Sequence, residues 1–175
     1  MAMTHGIDGD QLAAEIPRLR RYARALTRSS QAADDLVQDC LERAWRKGHH
    51  SEPGTDLWAW LFTLMHNVYV NGLRRKRPET EPLGHTEYAD PRALAHDSDL
   101  KLRDLEQALA ILPPEQREVL LLVCLEEMRY EQVAAVTGVP IGTVMSRLHR
   151  ARERMRRFMA GETQPGGRPA IRRVK

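Results

Sequence analysis

The sequence predicts an all-α protein with two small helical domains joined by a flexible acidic linker. In two separate stretches of the 175 residues, apolar side chains recur at the spacing of amphipathic helices. Between those stretches, residues 78–100 hold three prolines, six acidic residues and a single Arg, with no persistent helical or strand period. We therefore expect domains at residues 10–77 and 101–160, a linker at residues 78–100 and a basic tail at residues 161–175.

Composition and charge narrow the classes of protein to which the chain can belong. The net charge of +3 is mild, but ten Arg or Lys residues and only two Glu follow from Arg147 onward. The sequence has neither a run of about 18 apolar residues nor a secretion signal at its start, which favours a cytoplasmic protein. Cys40 and Cys124 lie far apart among apolar neighbours, as expected for core thiols of a reduced cytoplasmic protein.

Three helices are expected in the first domain. Apolar residues at helical spacing place the first helix between residues 12 and 26, and Pro17 suggests that the ordered helix starts near the proline. Ser29 or Ser30 can cap the second helix, which runs to about Lys47. The second helix has an apolar inner face. Its outer face, which is ordinarily just solvated, comprises Asp35, Gln38, Asp39, Glu42 and Arg46.

The third helix, from Leu57 to about Arg77, has an unusual polar face, and Thr55 or Asp56 can cap it. This face is uncharged and capable of hydrogen bonding for two turns before a basic run begins. Its members are Thr63, His66, Asn67, Val70 and Arg74, followed by Arg75, Lys76 and Arg77. Amide side chains beside a phosphate-binding run suit a surface that holds unpaired bases. The bulky aromatic residues are expected mainly in the core, namely Trp58, Trp60, Phe62 and Tyr69.

The second domain is expected to contain four helices. The first helix has apolar residues at helical spacing, namely Leu102, Leu105, Leu109 and Leu112. The Pro-Pro pair at 113–114 interrupts the chain, and the second proline suits the first turn of a helix that runs to Glu126. This second helix is apolar enough to be largely buried.

A helix-turn-helix is predicted at the end of the second domain. Residues 130–137 form a short helix ending at Gly138, residues 139–142 form a turn, and Thr143 caps the final helix. At about 100° per residue, the packed face of the final helix comprises Val144, Leu148, Ala151 and Met155. The opposite face and its flanks suit a DNA major groove and comprise Ser146, Arg147, His149, Arg150, Glu153, Arg154 and Arg157. The alternative is an amphipathic helix whose basic face is merely solvated.

Residue patterns for catalysis or metal binding are not found in the sequence. It contains no nucleophile–base pairing, no phosphate-cradling Gly loop and no metal cluster. The adjacent His49 and His50 lack further ligands at a suitable spacing, so plain loop histidines are favoured over a metal site. We therefore expect neither an enzyme nor a cofactor.

Four segments of the sequence resemble extracytoplasmic-function (ECF) sigma factors, the smallest members of the sigma-70 family. They are ADDLVQDCLERAW, DLWAWLFTLMHNVYVNGLRRKRP, ILPPEQREVLLL and YEQVAAVTGVPIGTVMSRLHRARE. The resemblance covers about residues 12–157 in family order. It implies a three-helix sigma-2-like bundle and a four-helix sigma-4-like helix-turn-helix domain. It also implies that the chain directs core RNA polymerase to promoter DNA under the control of an anti-sigma factor, often one anchored in a membrane.

The resemblance also assigns residues to three surfaces. The clamp of core polymerase would bind Asp35, Gln38, Asp39 and Glu42. The minus-ten element would meet the loop at residues 49–56 and a helix face with His66, Asn67, Asn71, Arg74, Arg75 and Arg77. The minus-thirty-five element would meet Thr143, Met145, Ser146, Arg147, His149, Arg150 and Arg154. Many relatives have a basic residue at the position of Met145, which implies a different base preference here.

Two other functions remain open at the level of the sequence. A stand-alone helix-turn-helix regulator would share the second domain, but it would not need the acidic face around Asp35 or the Asn67 surface. A sigma-like decoy that sequesters an anti-sigma factor would ordinarily carry a receiver domain, for which the chain has no room. A gel shift separates the first alternative, because a regulator binds specific DNA without core polymerase.

Overall fold

The computed structural model describes residues 8–47, 56–76 and 100–161, and these residues form seven α-helices and no strand. The helices are α1 (Gly9–Thr27), α2 (Ser30–Lys47), α3 (Leu57–Lys76), α4 (Leu100–Ala110), α5 (Pro114–Cys124), α6 (Tyr130–Thr137) and α7 (Ile141–Met159). The all-α prediction is confirmed. His49, His50, Arg77, the expected linker before Leu100 and the basic tail after Gly161 lie outside the described residues.

Helix α1 begins well before Pro17, so the expected start near the proline was wrong. The side chain of Asp8 caps the helix, its Oδ1 accepting from the Asp10 N–H at 3.0 Å. Pro17 is exposed inside the helix, where a proline ordinarily costs about 3 kcal/mol. Burial of Leu12 and Leu19 on either side of it holds both halves against the core and offsets that cost.

Helices α1, α2 and α3 form a three-helix bundle. Ser29 caps α2, its hydroxyl oxygen accepting from the Ala32 N–H at 3.3 Å. Asp56 caps α3 in the same way, through the Trp58 N–H at 3.1 Å. Tyr22 and Phe62 pack edge to face in the interior, with ring centroids 4.9 Å apart. The buried core of this bundle includes Leu19, Ala23, Leu26, Ala33, Val37, Cys40, Leu61 and Met65.

Helices α4 to α7 form the second bundle and end in the expected helix-turn-helix. Gly138 follows α6 with a φ of 66°, a left-handed conformation that glycine adopts without steric cost. Thr143 does not cap α7, contrary to the prediction. The helix begins at Ile141, and Pro140 is its N-cap residue, so Thr143 already lies in the first turn, its N–H bonding to the Pro140 carbonyl at 2.8 Å.

Two apolar positions of the second bundle are more exposed than the sequence predicted. Cys124 is exposed because it is the last residue of α5, where the helix leaves the core, whereas Cys40 is buried as expected. Leu105 is also exposed, since α4 buries Ala108 and Leu109 instead, followed by Leu112 just after the helix. Both cysteines are free thiols.

The two bundles pack against each other, with α1 against α5 and α3 against α6. This contact determines which faces of α1 and α3 are accessible in the free chain. None of the helices in the described ranges combines the length and apolarity that crossing a bilayer requires.

Candidate DNA and polymerase interfaces

The outer face of α7 is the first candidate surface. The phase prediction for its inner face is confirmed for Val144, Leu148 and Ala151, which are buried in the second bundle, while Met155 is half-buried against the same core. Of the residues expected to contact the minus-thirty-five element, four are exposed, namely Met145, Ser146, His149 and Arg150. The other three are half-buried at its edges, namely Thr143, Arg147 and Arg154. The structure therefore places all seven candidates on one accessible helix.

Charges on α7 are unevenly distributed. Glu153 accepts hydrogen bonds from Arg156 at 3.0 and 3.1 Å and from Arg157 Nε at 2.9 Å. These two guanidinium groups, Arg156 first, hold the pKa of Glu153 at about 2. In the described part of the chain, neither Arg147 nor Arg150 forms an ion pair. Arg147 and Arg150, in the N-terminal half of the helix, are therefore available to phosphates.

The polar face of α3 is the second candidate surface, and the structure divides it. Asn67, Asn71, Arg74 and Arg75 are exposed and lie within successive turns of the helix. His66 is different: its side chain is only 15% exposed, and its Nδ1 lies 2.6 Å from Oε1 of Glu118 in α5. The expected outward position of His66 is therefore not found in this arrangement, because its ring meets Glu118 where the two bundles pack together.

The outer face of α2 is the third candidate surface. Asp35, Gln38, Asp39 and Glu42 are all exposed. Glu42 is held by Arg46, whose Nη2 donates to its Oε2 at 3.1 Å, a surface pair of small energetic value. The structure thus presents the four candidates together to solvent.

Trp45, at the end of α2, is a surface residue that the sequence reasoning missed. Its side chain is 62% exposed, an unusual state for tryptophan. Trp45 follows Gln38 by two helical turns, so it lies beside the acidic face. The helical spacing, applied to this aromatic residue, could have identified it.

Buried charges at the contact between the bundles were also missed. The carboxylate of Glu126 lies 2.5 Å from Arg18 Nε and 3.3 Å from Arg21 Nη2, and its side chain is fully buried. The Arg18 guanidinium also stacks over the ring of Trp58, 4.4 Å from the ring centroid. The signal in the sequence was two glutamates, Glu118 and Glu126, within an otherwise apolar stretch, where a carboxylate needs a partner.

Arg117 hydrogen-bonds to the ends of α1 and α4 at the same contact. It donates to the carbonyl of Leu26 at the end of α1, and to those of Leu109 and Leu112, each at 2.9 Å. The carbonyls of Leu26 and Leu109 belong to helix C-terminal turns, which have unpaired acceptors and a negative dipole end, and that of Leu112 follows the end of α4. A buried guanidinium is the group best suited to satisfy three of them at once.

Tyrosines next to these charges stay neutral. Burial, reinforced by the carboxylate of Glu118, raises the pKa of Tyr22 well above its ordinary value. Burial likewise raises the pKa of Tyr69 to about 12. The phenols therefore add no negative charge beside Glu118 and Glu126 at physiological pH.

The three surfaces suit binding rather than chemistry. Two basic faces, on α7 and α3, suit nucleic acid, and one acidic face, on α2, suits a basic protein surface. In the described residues, no group of three or more His, Cys, Asp or Glu side chains is placed to hold a metal ion.

Comparison with known proteins agrees with this arrangement. Residues 12–66 match the family model for the sigma2 domain of PhyR, and residues 102–155 match that for sigma-70 region 4. The first match lies within the first bundle and the second within the second bundle.

Individual relatives match over most of the chain. ECF RNA polymerase sigma factor EcfG of Rhodopseudomonas palustris (strain TIE-1) is 38% identical over 89% of this chain and 86% of its own length. ECF RNA polymerase sigma factor SigE of Mycolicibacterium smegmatis is 35% identical over 82% of this chain, which spans 58% of SigE. The sigma factor RpoE of Bartonella quintana, solved in complex with the anti-sigma factor NepR, superimposes with a TM-score of 0.69 at 32% identity. That match covers 88% of this chain and 97% of RpoE. The chain therefore belongs to the ECF sigma factors of the sigma-70 family.

Proposed function

We propose that this ECF sigma factor uses three separate surfaces to direct core RNA polymerase to promoter DNA. The acidic face of α2, from Asp35 to Glu42, binds the polymerase clamp. The outer face of α7 reads the minus-thirty-five element, and the exposed part of α3 around Asn67 holds bases of the minus-ten element. The observation that carries the proposal is the accessible basic face of α7, which presents all the candidate reading residues on one helix.

Each surface suits its proposed partner by charge. Arg147 and Arg150 have no ion pair with another described residue, so they can neutralise phosphates, while Ser146 and His149 face base edges. On α3, amide groups of Asn67 and Asn71 can hydrogen-bond unpaired bases beside the phosphate-binding arginines. Neither DNA surface is large, so tight promoter binding requires both at once, together with polymerase.

The expected contact of His66 with minus-ten DNA requires a rearrangement. In the free chain its imidazole is bound to Glu118 and shielded by the second bundle. A role for His66 in DNA binding therefore depends on separation of the bundles when polymerase binds. Arg77, for which a DNA contact is also proposed, lies outside the described residues.

An anti-sigma factor is the proposed regulatory partner. The relative RpoE was solved with the anti-sigma factor NepR, and 97% of RpoE aligns with the present chain. We place the chain in the cytoplasm with polymerase and DNA, where a membrane-anchored anti-sigma factor can also hold it. The proposal assigns the chain no catalytic step of its own.

The test of this function is run-off transcription with purified chain and core polymerase, combined with a core-binding assay. Removing two charges by the double variant Asp35→Asn, Asp39→Asn is expected to weaken core binding at least tenfold, since charged pairs at an interface contribute strongly. Asp34→Asn is the matched control, because Asp34 is exposed on the same helix but outside the proposed face. Equal core binding by the double variant and the control would contradict the proposed role of α2. Specific promoter binding by the chain without polymerase would instead indicate a stand-alone regulator.

A further inference from the structure

Two large apolar side chains are exposed at the start of α7. Ile141 is 39% exposed and Met145, one helical turn later, is 49% exposed. Residues four apart on a helix lie side by side, so the two form a continuous apolar strip, called here the Ile141–Met145 pair. His149 continues this strip by one more turn toward the polar face.

Packing of the second bundle does not require the Ile141–Met145 pair. The core side of the same helix is supplied by Val144, Leu148 and Ala151, all buried. Single exposed apolar residues are common on protein surfaces, but two adjacent large ones leave a patch that water solvates poorly. The pair is therefore available to a ligand that offers apolar surface.

The position of the pair indicates which ligand that is. In a helix-turn-helix, the N-terminal residues of the second helix are the ones that reach base edges. Gly142 lies between the two members of the pair in sequence, and apart from its chain neighbours and its own helix backbone, no described atom lies within 4 Å of where its Cβ would be. The missing side chain leaves room for DNA to approach the helix closely.

The surroundings of the pair are cationic rather than apolar. Arg147 and Arg150 follow within two turns, with no ion-pair partner among the described residues. Ser146 turns its hydroxyl back to the Thr143 carbonyl at 3.0 Å, so this polar group is partly satisfied within the helix. An apolar strip flanked by phosphate-binding groups is complementary to a base edge with a methyl group.

Thymine is the base with such an edge. In the major groove its C5-methyl is the apolar feature, whereas the other base edges present donors and acceptors. We propose that the Ile141–Met145 pair recognises thymine in the minus-thirty-five element through its C5-methyl group. This inference rests on the proposed function and adds a base preference to it.

The experiment removes the methyl group and nothing else. Holoenzyme of the full chain and core polymerase first selects its minus-thirty-five element from a randomised duplex library. Each thymine of the selected element, on either strand, is then replaced singly by deoxyuridine, and open-complex formation is measured. At one or two positions we expect a loss of about fourfold, the size expected for one buried methyl group. Deoxyuridine in the spacer should have no effect.

Variants then assign the methyl effect to residues. Met145→Ala is expected to bind the thymine promoter more weakly and to lose the deoxyuridine effect at its position, and Ile141→Ala to do the same at a neighbouring position. Met159→Ala is the matched control, because Met159 is 64% exposed at the other end of α7 and should leave every methyl effect intact. Circular dichroism melting verifies that the variants remain folded.

Each outcome bears on one claim. No methyl effect with the wild-type chain, or full retention of that effect in both alanine variants, overturns thymine recognition while the proposed function stands. If Met145→Ala loses anti-sigma binding but keeps all methyl effects, the pair belongs to a protein interface and the inference is wrong. A holoenzyme that selects no element contradicts the proposed function itself.

Discussion

Single residues on α7 determine how closely and how strongly the helix can meet DNA. Gly142 leaves its outer side bare, and nothing in the described chain occupies that space. Farther along, Glu153 binds Arg156 and Arg157 and lowers the positive charge of the C-terminal half. The sequence predicted the outward phase of Glu153, but the pairing depends on side-chain rotamers, which spacing alone does not determine.

Replacing Gly142 should change the stability of the protein and its DNA binding in opposite directions. Gly142→Ala should raise the free energy of unfolding by up to about 1 kcal/mol, because alanine favours the helix and its Cβ meets no protein atom. The same methyl should obstruct close approach of DNA and weaken promoter binding by the holoenzyme. Thermal unfolding and open-complex assays measure the two effects. An alanine variant with unchanged stability and unchanged promoter binding would show that Gly142 serves neither purpose.

Glu153 should weaken the binding of DNA phosphates by α7. Its pKa of about 2, well below the ordinary value, keeps it ionised throughout the physiological range, so its effect should not vary between pH 5 and pH 8. Glu153→Gln removes the carboxylate that pairs with Arg156 and Arg157 and should strengthen DNA binding by the holoenzyme. The slope of log affinity against log salt should steepen by about 1 to 2, close to one unit per added phosphate contact. An unchanged slope would mean that these arginines do not reach DNA.

The sequence was most informative about the helices and about where they begin and end. Apolar periodicity predicted α2 and α3 nearly to the residue, and of the alternative caps offered for each helix the structure uses Ser29 and Asp56. The starts of α1 and α7 were wrong because burial outweighed the local preference at Pro17, and because Pro140, not Thr143, precedes the first turn. Long-range partners were not predictable, since no local pattern relates Arg117 to a carbonyl in α1.

Arg117 should be a major determinant of stability. Arg117→Met keeps much of the side-chain volume but leaves the carbonyls of Leu26, Leu109 and Leu112 without their donor. Buried acceptors that lose a partner carry a desolvation cost, so we expect a loss of about 2–4 kcal/mol in chemical denaturation. Arg20→Met is the control, because Arg20 is largely exposed and contacts Asp34 only at 3.9 Å. Similar stabilities of the two variants would contradict this role.

The arrangement of the two bundles is a property of the whole molecule. The sequence predicted two domains joined by a flexible linker, and the free chain brings these domains together through Glu118 and Glu126. The carboxylates are buried between the bundles and have their partners there, so the contact is specific. Under the proposed function, we expect that contact to open when the two DNA surfaces bind separated promoter elements.

Polymerase binding should therefore increase the distance between the bundles. Cys124 is an exposed native thiol in the second bundle, and Lys47→Cys adds a second exposed site at the end of α2. Energy transfer between dyes at these positions should fall when core polymerase is added. A pair at Cys124 and Met159→Cys, both within the second bundle, should report no change. Constant transfer across the bundles would mean that the closed arrangement persists in the holoenzyme.

Promoter footprinting tests the central claim most directly, because it asks whether the two DNA surfaces act together and only with polymerase. Holoenzyme should protect a minus-thirty-five and a minus-ten element on one promoter, and a substitution at Arg150 should reduce protection at the upstream element. The chain alone, at the same concentration, should protect neither. Specific protection by the isolated chain, or a holoenzyme that protects neither element, would contradict the account.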